Sequence, residues 1–257
     1  MVSVRDVDSS DREQLAGLAA ACGQTGAVSA QDPAYVAAIA DAGRFVVASD
    51  AGALVGFAGV VHRDEVAFLT DLFVLPSAQG RGTGSALLRA AWEGTTERAT
   101  SASTNPMALT AYVRWGLVPA WPLLYLEVAG VTEPWPDDVT RSTRPPADLG
   151  WPVPSVDLLV LDVGRTAGAV LAHDARGSVV LRAEVEGPTD LEALLRAARA
   201  TAGADGVARL QVPGAHQGLD VAMAAGAVVV DTDVWCATPG AIDLWDPRAV
   251  LPSPAFG

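Results

Sequence analysis

The stretch Asp71–Ala91, DLFVLPSAQGRGTGSALLRAA, passes from an apolar, strand-like run through Pro76 into three glycines spaced two apart, then into an alanine- and leucine-rich helix. Glycine accepts positive φ and close backbone approach, so such a turn can aim several N–H groups at one anion. A helix beginning just beyond it adds the partial positive charge of its N-terminus, which suits a phosphate or pyrophosphate. Gly80, Gly82 and Gly84 meet that description, and Arg81 adds a full charge beside them. The plain alternative is a flexible surface turn. Two nucleotide motifs fail the comparison. A Walker loop ends in GK[ST], and this chain contains no lysine. A dinucleotide fingerprint needs GxGxxG in a parallel βαβ unit, whereas this is GxGxG after antiparallel strands.

Upstream of the loop, VSVRDV reads as a short strand and SSDREQLAGLAAAC as a helix with a Ser/Asp cap and helical spacing at Leu15, Leu18 and Ala19. DPAYVAAIADAG is a second helix, with Asp32 at its cap, Pro33 in its first turn and Gly43 past its end. RFVVASDAGALVGFAGVVHRDEVAFLTDLFVLP gives three antiparallel strands turning at DAG and at HRDE. Downstream, the helix after the loop is expected to run to about Arg98. TSASTN follows as a small-residue strand, PMALTAYVRWG as a helix closed by Gly116, and LVPAWPLLYLEVAG as one or two strands.

The segment 131–155 carries Pro134, Pro136, Pro145, Pro146, Pro152 and Pro154, too many for a helix or a central strand, and reads as an extended linker. Beyond it the order of the first half recurs. VDLLVLDV, AGAVLAHDA and GSVVLRAEVEG are strands, PTDLEALLRAARATAG a helix, VARLQV a strand, GAHQGLDVAMAAG a helix and AVVVDTDVWCAT a strand. ALLRAA occurs at 86–91 and again at 193–198. Order and spacing together point to a tandem duplication.

The net charge is −13 and all 17 basic residues are arginine. No basic cluster could neutralise several phosphates, which disfavours nucleic acid, while a cationic small substrate is tolerated. No apolar run reaches the ~18 residues of a membrane span, and the polar, acidic N-terminus is unlike a signal peptide. The expected location is cytoplasmic. Cys22 and Cys236 stand far apart, without CxxC or Cys/His spacing, and read as reduced thiols. No metal-ligand set is visible.

Residues 71–88 resemble the signature of the GNAT superfamily of acyl-CoA N-acyltransferases, [Q/R]-x-x-G-x-[G/A], with Gln79, Gly82 and Gly84 at its fixed positions and Leu72, Val74 and Pro76 in the lead-in. The resemblance implies that N–H groups of Gln79, Gly80, Arg81, Gly82, Thr83, Gly84 and Ser85 hold the coenzyme A pyrophosphate. The strand before the loop would pair with the pantetheine arm, its N–H groups around Phe73 and Val74 polarising the thioester carbonyl. A second match is Asn105, a helix, then Tyr112 four residues before Gly116-Leu117. By the same resemblance Asn105 caps that helix and contacts the coenzyme, and Tyr112 protonates the departing thiolate. Its plain alternative is a packing tyrosine.

Direct transfer also needs a group for the amine. Diamine acetyltransferases of this superfamily carry an acid near the place of Asp71, which would hold an ammonium or take its proton; otherwise Asp71 faces solvent or pairs with an arginine. Glu65, Asp64 and His62 are weaker candidates, and Tyr35 and Trp115 could line an acceptor site or belong to the core. Aligned on ALLRAA, Glu186, Thr189 and Leu191 replace Gln79, Gly82 and Gly84; aligned on the glycine that ends the last helix, Gly116 or Gly226, Ala222 and Ala215 replace Tyr112 and Asn105. The resemblance therefore implies an α/β chain of two GNAT-like domains, each a mixed, mostly antiparallel sheet flanked by helices. Residues 1–130 would be the catalytic domain, 131–155 a linker and 156–257 a degenerate domain. The expected function is acetyl transfer from acetyl-CoA, without metal, to a primary amine of a small molecule, by direct transfer in a ternary complex of a monomer or homodimer. The competing reading is a non-catalytic acyl-CoA-binding module.

Overall fold

The computed structural model describes residues 2–24, 29–63, 65–142, 158–163, 167–185, 187–244, 246–248 and 250–251. In chain order the elements are β1 (Ser3–Asp6), α1 (Arg12–Ala21), α2 (Pro33–Ala42), β2 (Gly43–Asp50), β3 (Ala53–Arg63), β4 (Val66–Val74), α3 (Thr83–Ala91), β5 (Glu97–Ser103), α4 (Pro106–Arg114) and β6 (Val118–Ala129). They continue with β7 (Val139–Ser142), β8 (Leu158–Val163), β9 (Ala167–Asp174), β10 (Gly177–Glu184), α5 (Pro188–Ala202), β11 (Val207–Pro213), α6 (Leu219–Ala224), β12 (Val228–Ala237), α7 (Pro239–Asp243) and β13 (Val250–Leu251). No helix among the described residues is long and apolar enough to cross a membrane.

Local signals set most of these boundaries. The Asp32 carboxylate accepts from the Ala34 N–H and Pro33 opens α2, satisfying an orphan donor where a missing N–H does no harm. Ala51 and Gly52, both with positive φ, turn β2 into β3, as a tight hairpin demands. Asn105 caps α4 by accepting from the Met107 N–H, and Gly116 leaves the helix at φ 85°. The helix after the glycine loop is shorter than its composition suggests. It ends at Ala91, and residues 97–99 are already strand. Trp92 is buried and Gly94 takes φ 78°, so the chain turns there instead of continuing.

The strands form one sheet, in the order β1-β2-β3-β4-β5-β12-β6-β11-β10-β9-β8-β7, with β13 on β10. Within each half the first four strands pair antiparallel, and one parallel pair follows: β4 with β5, and β10 with β11. The last long strand of each half then crosses over. β12 pairs antiparallel with β5, β6 pairs with β11, and β6 and β12 pair with each other at the centre. The two halves thus exchange their last strands, and neither sheet half is complete without the other. Part of the proline-rich segment is not linker, because Val139–Ser142 pairs with β8 as the outermost strand; Pro145, Pro146, Pro152 and Pro154 lie outside the described residues.

Alternation along the strands sends residues to two faces. One face carries α1 and α2 on a core including Leu15, Tyr35, Ile39, Phe45, Phe57, Phe68, Leu123 and Trp235. The other carries α3 and α4 over Leu69, Leu87, Leu88, Tyr112 and Cys236, and α5 and α6 over Leu126, Leu194, Leu210 and Ala222. Trp235 of β12 stacks on Phe68 at 5.2 Å and on Trp121 of β6 at 6.2 Å. This aromatic run joins strands from both halves through the middle of the sheet.

Candidate active site

Strand β4 builds the site through two irregularities. Its parallel pairing with β5 stops at Leu69–Thr100. Beyond that point the strands separate, leaving one side of β4 unpaired. Its pairing with β3 slips by one residue between Leu69 and Asp71, so Thr70 is the extra residue of a β-bulge. The bulge puts two consecutive side chains on the same face: the Thr70 hydroxyl donates to Asp71 Oδ2 at 2.8 Å. Gly59 lies opposite, and a Cβ there would stand 2.7 Å from Thr70 Oγ1 and 3.1 Å from Asp71 Oδ2. Glycine is needed to let the bulge approach.

Beyond the bulge, alternation decides which backbone groups face the gap. The Leu75 N–H donates to the Val55 carbonyl, and Phe73 stands opposite Phe57, so the backbone of Phe73 is spent on β3. The N–H groups of Leu72 and Val74 therefore point toward the gap. Of the two positions expected there, Val74 fits and Phe73 does not; Leu72, one residue away, takes its place. The Phe73 side chain packs on Phe57 at 5.3 Å, on the α1/α2 face.

The glycine loop closes the end of this gap. Pro76–Ala78 makes one tight turn, and the Gln79 side chain donates back to the Val74 carbonyl at 2.9 Å, tying the loop to the strand. Gly80 and Gly82 hold φ of 70° and 83°, the left-handed region that costs other residues about 1–2 kcal/mol. A Cβ on either would meet nothing within 4 Å. Conformation requires these glycines, and the space in front of them is open. Thr83 is buried, its hydroxyl donating to the Ala78 carbonyl, whereas Gly80, Arg81, Gly82 and Ser85 are exposed. The N–H groups of Thr83, Gly84 and Ser85 head helix α3 and have no partner within it. Exposed donors, a helix N-terminus and Arg81 fit a pyrophosphate.

Tyr112 lies on α4 with its side chain buried. Its hydroxyl lies close to Thr100, Cys236 and Asp233. Thr100 in turn donates to the Leu69 carbonyl, so the phenol sits at the vertex where β4 and β5 part. Burial, with the nearby acidic groups adding to it, raises its pKa well above the ordinary tyrosine value. The phenol therefore keeps its proton at neutral pH. Burial likewise pushes the Cys236 thiol up to about 11, which makes it inert as a nucleophile.

The structure encloses Asp71 in the interior of the sheet's α1/α2 face. It neither faces solvent nor pairs with an arginine. It is 3% exposed, and its two oxygens accept from Gln24 (2.7 Å), Tyr35 (2.7 Å) and Thr70 (2.8 Å). Burial raises its pKa, against the lowering effect of these three donors. The reason is the bulge, which turns Asp71 inward under α2, where Tyr35 waits. Gln24, from the segment after α1, also accepts from the Ala30 N–H, so the carboxylate fastens that segment to the sheet. Gln24 and Thr70 carry no motif in the sequence; only the bulge brings them to Asp71.

The remaining candidates scatter. Trp115 lies on the α3/α4 face against Trp92, with Arg98 over both rings at 5.8 and 5.4 Å. His62, Glu65 and His173 are exposed, and Asp64 lies outside the described residues. His216 is buried, its Nδ1 accepting from the Gly218 N–H. In the second half Ala222 is buried where the alignment sets Tyr112, and Glu186 lies outside the described residues.

Residues 41–116, from the end of α2 through α4, match the acetyltransferase (GNAT) domain family. Among solved structures, a Pyrococcus horikoshii protein classed as an acetyltransferase superposes with a TM-score of 0.78 at 12% identity, covering 100% of this chain and 96% of its own. A GCN5-related N-acetyltransferase from Sphaerobacter thermophilus gives 0.60 at 15% identity, over 92% of this chain and 95% of its own. One from Kribbella flavida gives 0.55 at 15%, over 92% and 70%. No protein of curated function matches the sequence significantly. At these identities the superpositions speak for the fold, along almost the whole chain.

Proposed function

We propose that this chain, whose residues 41–116 match the acetyltransferase (GNAT) domain family, is an acyltransferase of that superfamily, and that its N-terminal half transfers acetyl from acetyl-CoA to a primary amine of a small molecule, directly and within a ternary complex. The observation that carries the reading is the convergence of three features on one gap: the loop at Gly80–Ser85, the N–H groups of Leu72 and Val74, and the Tyr112 phenol. Acetyl-CoA supplies the activated acyl group. The loop N–H groups and Arg81 bind its pyrophosphate, and Asn105, exposed at the start of α4, contacts the coenzyme. The N–H groups facing the gap donate to the carbonyl oxygen as negative charge grows there. Tyr112 gives its proton to the sulfur as the C–S bond breaks and the new N–C bond forms. The amine nitrogen sheds its protons to solvent, from which the phenol is reprotonated.

Asp71 serves this chemistry as a positioning residue. Its carboxylate fixes Gln24 and Tyr35 beside the acceptor side of β4. The test is thiol release from acetyl-CoA against polyamines, amino acids and aminoglycosides, run beside calorimetry with coenzyme A. Tyr112→Phe is expected to lower kcat about 100-fold or more, in the range of general acid catalysis, with coenzyme affinity within twofold of wild type. Coenzyme binding without turnover of any amine would favour a non-catalytic acyl-CoA-binding module. No coenzyme binding would end both readings.

A further inference from the structure

On the α1/α2 face, the middle of the sheet carries a row of polar side chains across four neighbouring strands: Ser101 on β5, Asp233 on β12, Tyr125 on β6 and Gln211 on β11. Their shared face follows from alternation. Ala99, Trp235 and Leu123, each two residues from a member of the row, belong to the core beneath α1 and α2, while Leu210 and Val212, flanking Gln211, belong to the opposite face. Asp233 Oδ2 accepts from Ser101 Oγ at 3.0 Å and from Tyr125 Oη at 2.5 Å. Its Oδ1 has no partner among the described residues. Tyr125 stands directly opposite Gln211. Gln211 is 4% exposed, and neither its Nε2 nor its Oε1 has a partner among the described residues.

The row begins at the gap. Ser101 is the first residue of β5 beyond its pairing with β4, and the Tyr112 hydroxyl feels the charge of Asp233. A buried amide with neither end paired is costly unless something polar reaches it, whereas Asp233 is only half-buried and its Oδ1 is not among the enclosed unpaired atoms, which leaves that oxygen accessible. The face is that of Asp71 and Tyr35, opposite the α3/α4 face of Leu87 and Leu88. We propose that this row is the acceptor subsite: Asp233 Oδ1 receives the acceptor's ammonium, and Gln211 receives a second hydrogen-bonding group further along the molecule. Two of the four residues come from each half. The second half, which lacks the coenzyme loop, is then part of the first half's active site through its exchanged strand. The acceptor is a cationic amine carrying a further polar group.

The assignment rests on the transferase reading above, and one experiment separates them. Full-length wild type, Asp233→Asn, Asp233→Glu, Tyr125→Phe and Gln211→Ala are assayed for thiol release with the same amine panel, with coenzyme A affinity and denaturant midpoints measured in parallel. Asp233→Asn should raise KM for the best-used amine about 10- to 100-fold, the loss of one charge-assisted hydrogen bond, with coenzyme affinity within twofold. Asp233→Glu should recover part of it. Tyr125→Phe, which keeps the ring and frees Oδ2, and Gln211→Ala should each raise KM severalfold. An Asp233→Asn enzyme with wild-type KM overturns the subsite while leaving the transferase standing. So does a coenzyme affinity that falls in step with the amine KM. A wild type that turns over no amine on the panel sinks both.

Discussion

The strand-to-helix junctions of the two halves start alike and end differently. Both β4 and β10 lose their parallel partner midway, at Leu69–Thr100 and at Val179–Arg209, and both then bulge, at Thr70 and at Leu181. After β4 the chain spends residues 75–82 on a loop with two left-handed glycines before α3 begins. After β10 only residues 185–187 intervene before Pro188 opens α5. The strands are nearly equal, 9 and 8 residues, so it is the longer, earlier-starting helix of the second half, 15 residues against 9, that consumes the cradle. The start of α5 is also hostile to an anion: Asp190 occupies the first helical turn and Leu191, where Gly84 stands in the first half, is fully buried. Asp190 already complements the helix dipole. The same architecture therefore offers an anion cradle or lacks one, according to a few residues of loop length and glycine content.

The largest test concerns the strand exchange that makes the halves one unit. Trp235→Ala removes the ring joining Phe68 and Trp121 and should cost about 3–5 kcal/mol. It should shift one cooperative transition, followed by fluorescence and circular dichroism in urea. Two separate transitions would mean that the halves are independent. Gly82→Val forces a β-branched residue to φ 83°. The loop is expected to relax and turn its N–H groups away, weakening coenzyme A binding about 10- to 100-fold, or roughly 1.4–2.8 kcal/mol. Calorimetry reads this directly. The double change Asp190→Gly and Leu191→Gly should leave coenzyme stoichiometry at one per chain, because the short 185–187 connection stays; a second site would break the comparison.

The smallest effect is on stability against pH. Asp71 has a folded-state pKa above its unfolded value. Protonated Asp71 therefore favours the fold fully below the ordinary carboxylate value, and this contribution is lost as pH rises through the raised one. Asp71→Asn should remove that slope. Urea midpoints of wild type minus variant should fall from acid toward neutral pH; a flat difference would mean that burial does not govern the carboxylate.

Much of the site is legible in the sequence because its signals are local. The positive φ at Gly80 and Gly82, the Asn105 cap and the buried Tyr112 each follow from a few neighbouring residues. Leu72 escapes such reading, and Phe73 misleads it, because the side of the strand that faces the gap depends on the bulge. Asp71 reads as a surface or substrate-facing acid because nothing in TDLFV announces that Gln24 and Tyr35 close over it. Trp115 is a candidate beside a helix end, yet Arg98 and Trp92 hold it on the other face.

By itself the sequence determined two halves with recurring order, the glycine loop in one and its loss in the other, since turn conformation and helix starts are set by adjacent residues. It predicted two sheets. Only the tertiary structure decided that there is one, because strand pairing is a long-range choice on which periodicity is silent. β12 could complete its own half or the other's with the same alternation. By taking the other's place it sets Asp233 within hydrogen-bond reach of Ser101 and Tyr125, at the centre of a sheet drawn from both halves.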